Sequence, residues 1–186
     1  MLLNGVRHTG RATTAVEPQQ ERDPVMALSL RSSIDRISDP ASLDEAVHEV
    51  FQLVLGAESA VEPPASGRHG ESVTAVVGFG GILSGACVLQ CSAHDAIAIA
   101  SQMTGAAMKS VDDTVQDAIG EICNMVAGAW KGKVPELAAH CGLSVPAVIS
   151  GRDYNLHVQA PEFLVHHGYA FTDLHFEVTI VCDGLR

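Results

Sequence analysis

Asp117, Glu121, Asn124 and Gly128 recur at spacings of four, three and four within DDTVQDAIGEICNMVAGAWK, residues 112 to 131. A helix turns about 100° per residue, so residues spaced this way share one face. The face carries two carboxylates, an amide and a bare glycine. A carboxylate can pair with a partner's cation. An amide offers an acceptor and a donor side by side and stays neutral. Glycine costs a helix about 1 kcal/mol relative to alanine. On an outward stripe, Gly128 removes side-chain bulk and lets another surface come close. We read this face as the working surface.

A second stripe gives the helix its opposite face. Val115, Ile119, Ile122 and Val126 recur at the same spacings, about half a turn away. The pattern predicts one helix from about 112 to 130, apolar on the core side and polar on the outer side.

The pattern occurs twice. Shifting the chain by 72 positions lays LDEAVHEVFQLVLGA, from Leu43, over VQDAIGEICNMVAGA, from Val115. Glu45, Glu49 and Gln52 fall on Asp117, Glu121 and Asn124, and Gly56 falls on Gly128. Two apolar helix stripes can agree by chance, but agreement of the outward stripe is harder to obtain. It predicts a duplicated helix-plus-hairpin unit whose halves share a core. The first copy makes Glu45, Glu49 and Gln52 a candidate degenerate second site.

Other elements follow from local signals. Ser42 with Glu45 reads as a capping box for the first helix, and Gly56 ends it. Residues 72 to 78 and 82 to 91 read as a hairpin around Gly78, Gly80 and Gly81. These glycines lack the pattern of a phosphate loop. Ser92 to Met103 reads as a helix stopping near Gly105. LSVPAVISG reads as a short strand, with Pro146 suited to an edge or a strand start. Two or three strands follow, the last alternating Leu174, Phe176, Val178 and Ile180 against His175, Glu177, Thr179 and Val181. The order predicts an α+β domain, long helices packed on a largely antiparallel sheet. It spans residues 39 to 186, behind a polar tail of residues 1 to 38 whose composition favours disorder. Met26 is an alternative natural start.

Composition narrows the function. A net charge of −11 argues against nucleic acid and anionic membrane surfaces, which need clustered Lys and Arg. No apolar run is long enough to span a membrane, and the start lacks a secretory pattern, so a cytoplasmic location is expected. The five cysteines are odd in number and scattered, which suits buried reduced thiols rather than a disulfide framework. No His-x-x-x-His or Cys-x-x-Cys occurs, so no metal is expected in this chain. Trp130, the sole tryptophan, is expected to pack in the core.

Glu121-x-x-Asn124, with Asp117 before it and Pro146 after it, resembles the signature of the CheC/CheX/FliY chemotaxis phosphatases. The run AIGEICNMVAGAWKG is similar to the CheX branch, as are VFQLVLG and SGACVLQCSAHDAIAIASQMTG, and the likeness covers roughly residues 40 to 184. It departs at one point: 21 residues separate Asn124 from Pro146, one short of the family spacing. The resemblance implies a CheC/CheX-like fold and a homodimer. It implies a protein phosphatase that hydrolyses the aspartyl phosphate of a CheY-type response-regulator receiver. It makes Asn124 the residue that orients water and Glu121 the partner of a receiver lysine. Asp117, Gly128 and Pro146 take docking roles. The chain then needs no cofactor, and Mg²⁺ comes with the receiver. The alternative is an adapter of the same fold that binds a receiver without hydrolysing its phosphate.

Overall fold

Asp39 caps the first helix, accepting a hydrogen bond from Ala41 N at 3.1 Å, and Pro40 takes the first helical position. Proline's fixed φ suits that position, and an aspartate carboxylate satisfies an orphan amide there. Helix α1 therefore runs Pro40–Leu55, and Ser42, the expected cap, lies inside its first turn. Gly56 ends it with φ 70°, as expected.

The computed structural model describes residues 37–56, 58–64, 70–154, 156–157 and 161–185. Residues 1–36, most of the expected tail, lie outside these. Ile37 is 1% exposed and belongs to the core.

After α1 come β1 (Ala60–Glu62), β2 (Glu71–Gly81) and β3 (Leu83–Ser92). Helix α2 (Ala93–Thr104) is capped by Ser92 and closed by Gly105. Helix α3 (Asp113–Gly132) is capped by Asp112, whose carboxylate accepts from Val115 N at 3.0 Å. A short helix, α4 (Pro135–His140), follows where none was predicted. The chain ends with β4 (Cys141–Leu143), β5 (Ala147–Arg152), β6 (Phe163–Phe171) and β7 (Leu174–Leu185).

The sheet runs β1-β6-β7-β3-β2-β4, with β5 also on β2, and its pairs are antiparallel. This order carries the duplication. The β2–β3 hairpin follows α1, and the β6–β7 hairpin follows α3. They meet at β3 and β7 in the middle. The edge strands are exchanged: β1, from the first half, pairs with β6, while β4 and β5, from the second, pair with β2. Neither half owns a complete sheet, which is why they share one core.

That core is aliphatic. Val73, Ala75 and Val77 of β2, Leu89 of β3 and Val178 and Ile180 of β7 are fully buried, together with Val115, Ile119 and Val126 of α3. Burying each of the Val, Leu and Ile side chains stabilises the fold by about 1.5–3 kcal/mol. Phe51 of α1 stacks on Phe176 of β7 at 4.1 Å. Trp130 is fully buried against Phe79 at 5.1 Å. All five cysteines are buried thiols outside any disulfide.

The segment expected as one strand around Pro146 is two, interrupted by a bulge. Phe79 opposes Leu143, and Val76 opposes Ala147. Ser144, Val145 and Pro146 therefore face only Gly78 and Val77. An extra residue at a sheet edge bends the strand, and proline, which lacks an N–H, is tolerated there.

Candidate functional site

The two faces of α3 lie where the spacing put them. Val115, Ile119, Ile122 and Val126 are at most 1% exposed. Asp117 and Glu121 are exposed, and Asn124 and Gly128 are half-buried. The polar stripe is thus open, with its amide set deeper than its carboxylates.

What deepens it is the β4–β5 edge, which runs along α3 in the opposite direction. A Cβ added to Gly128 would lie 3.9 Å from Leu143 Cδ1. One added to Gly120 would lie 3.3 Å from Pro146 Cβ and 3.2 Å from Val148 Cγ2. Further back, Gln116 Nε2 donates to Ser150 Oγ at 3.4 Å. Asn124 sits one helical turn from each glycine, between the two places where the strand approaches. Gly120 was not among the expected site residues. Its signal was present as Gly120, Asn124 and Gly128 at steps of four, but one glycine on a helix rarely stands out.

The edge is pinned from several directions. Ser144 N donates to Gly78 O at 2.9 Å, and Gly78 N donates to Ser144 Oγ at 2.8 Å. Lys131 Nζ donates to Cys141 O at 2.9 Å and to Ala138 O at 3.3 Å. Pro146, half-buried, rests on Gly120.

The matching face of α1 differs. Glu45, Glu49 and Gln52 are all exposed. The ammonium of Lys133, just past α3, donates to Glu49 Oε1 and stands 3.5 Å from Glu45 Oε2. The Glu49 hydrogen bond raises the Lys133 pKa above its ordinary value, against the opposing effect of burial. The carboxylate that aligns with Glu121 thus already holds a lysine from its own chain.

Other polar clusters serve packing. Asp44 of α1 accepts from Tyr169 OH at 2.8 Å and lies 2.7 Å from His167 Nδ1, tying α1 to β6. Burial, then the Asp44 contact, pushes the Tyr169 hydroxyl well above its usual range. Among the described residues no group of three or more His, Cys, Asp or Glu is placed to hold a metal. No helix among them is long and apolar enough to cross a membrane.

The arrangement is a shallow polar strip on a rigid helix: a carboxylate reaching out, an amide one turn on, and bare backbone beside it. It suits docking against another molecule and placing a water there.

A profile of the family described as chemotaxis phosphatase CheX matches residues 73–167. The CheY-P phosphatase CheX of Thermotoga maritima is 32% identical over 115 residues, 60% of this chain and 74% of that protein. The crystal structure of CheX from Desulfovibrio desulfuricans superposes with a TM-score of 0.64 at 22% identity, covering 79% of this chain and 99% of that one. The CheX-CheY-BeF3-Mg²⁺ complex from Borrelia burgdorferi matches with a TM-score of 0.61 at 20% identity, covering 76% and 96%. These structures share the fold read above. On the profile and the Thermotoga relative together, this chain belongs to the CheX family of chemotaxis phosphatases.

Proposed function

We propose that this chain hydrolyses the aspartyl phosphate of a CheY-type receiver, with Asn124 orienting the attacking water and Glu121 fixing the docked receiver. The observation that carries this is the pairing of an exposed Glu121 with a half-buried Asn124 on a helix fixed by core behind and by a pinned strand beside. A relative named for action on CheY-P and a fold neighbour crystallised with CheY support it.

An acyl phosphate is already reactive. The water oxygen attacks phosphorus in line, the bond from phosphorus to the aspartate oxygen breaks, and carboxylate and inorganic phosphate leave. Such transfer depends mainly on positioning and charge stabilisation, so no strong base is needed. The Asn124 carbonyl accepts a hydrogen bond from the water, and its NH2 can donate to a phosphoryl oxygen. A carboxylate in its place would repel the anion. Glu121, one turn earlier, pairs with a receiver lysine and sets the register. Gly128 admits the partner's surface, Asp117 docks at the rim, and Pro146 holds the edge strand in place. Mg²⁺, held by the receiver, neutralises charge on the phosphoryl oxygens.

The test is a panel of phosphorylated receivers from the same organism. At least one should lose phosphate faster with this chain present. Tight binding to a receiver with unchanged phosphate lifetime across the panel would favour the adapter instead. The homodimer is tested by sedimentation. Twice the 19.5 kDa chain mass supports it, and the chain mass alone refutes it.

A further inference from the structure

Leu143 and Pro146 both reach α3, at Gly128 and at Gly120. The backbone between them must pass the intervening turn, which carries Asn124. Ser144 is taken up by Gly78 through two hydrogen bonds. Val145 and Pro146 are left sharing Val77 across the bulge. Pro146 turns onto the helix. Val145 is 86% exposed, the most exposed of the large apolar side chains described.

One exposed valine means little by itself, since scattered surface hydrophobes are ordinary. Here its setting distinguishes it. The backbone on both sides is held, so the side chain is presented on a rigid mount. Its backbone lies between the two contacts that flank the helical turn carrying Asn124. Bulges near functional sites are a known means of re-aiming a side chain. An apolar anchor beside polar groups is also how interfaces combine affinity with orientation.

We infer that Val145 is a docking residue for the receiver, seating against an apolar patch beside the phosphorylated aspartate and adding to the affinity with which the receiver is held over Asn124. This rests on the receiver-phosphatase function proposed above. Val145 does not touch the reacting atoms. Its role is in docking, and its loss should appear in binding before turnover.

The experiment compares native protein, Val145→Asp, Val145→Ser and Asn124→Ala. Affinity is read with a BeF3-activated, Mg²⁺-loaded receiver, and kcat and KM with the phosphorylated one. Val145→Asp should weaken binding and raise KM about tenfold, a difference of ~1.4 kcal/mol, with kcat at saturating receiver close to native. Val145→Ser should fall between them, and both variants should melt with the native protein because the side chain is exposed. Asn124→Ala should show the reverse, with binding kept and kcat lost. If both Val145 variants match native in affinity and KM while Asn124→Ala loses turnover, the docking role is wrong and the phosphatase function stands. If native protein accelerates no receiver, both fall together.

Discussion

A Cβ placed on Gly120 would come within 3.3 Å of the Cβ of Pro146, so the edge strand rests on the bare backbone of α3. Gly128, two turns on, is looser, with its nearest neighbour Leu143 Cδ1 at 3.9 Å. The two glycines should therefore respond in opposite senses. Gly128→Ala gains helix propensity without a clash and should raise stability by about 1 kcal/mol. Gly120→Leu must displace Pro146 and Val148 and should lower it by about 1–3 kcal/mol. Urea denaturation of both variants measures this, and the opposite ranking would contradict the packing described.

Gly128→Ala should also separate stability from function. If a receiver lies close over this helix, the added methyl hinders it, and KM should rise although the protein is more stable. An unchanged KM would mean that Gly128 has no part in docking.

Lys133 already engages both carboxylates of the first-half face. Gln52→Ala should leave receiver dephosphorylation near the native rate, because the carboxylates beside it already hold a lysine. A loss approaching that of Asn124→Ala would reverse the ranking of the two faces. The lysine pairing has a definite pH sign. A raised folded-state pKa means its contribution is complete below the ordinary lysine value of 10.5 and is lost as pH rises through the folded value. The melting difference between native protein and Lys133→Met should be flat across neutral pH and shrink in alkali. The carboxylates are largely exposed, so that difference should be small.

The cysteines should be inert in the folded state. The Cys123 hydrogen bond and burial raise the Cys87 pKa, while burial chiefly raises those of Cys141 and Cys182. The thiolate is the reactive form. A thiol-titrating disulfide at mildly alkaline pH should find almost no reactive group in native protein and all five after unfolding. Fast release of even one equivalent before unfolding would contradict their burial.

Much of this was legible in the sequence because it is periodic. The stripes of α3 and the duplicated stripe of α1 are local patterns, and the hairpin order followed from them. Local competition hid the start of α1: Ser42 and Glu45 made a plausible box, but Asp39 with Pro40 won. Helix α4 is too short to show a period. What sequence could not show was non-local. The bulge exists only because β4 and β5 pair with β2, and so the exposure of Val145 had no signal. The contact of Pro146 with Gly120 and the reach of Lys133 to Glu49 likewise join segments distant in the chain.

The most direct measurement is phosphate loss from a cognate phosphorylated receiver, followed in single turnover with saturating native protein or Asn124→Ala, alongside affinity for the BeF3-activated form. Removing the water-orienting amide should slow hydrolysis roughly 10²-fold with affinity nearly unchanged. Hydrolysis at the native rate by a folded Asn124→Ala protein would show that this amide does not aim the water.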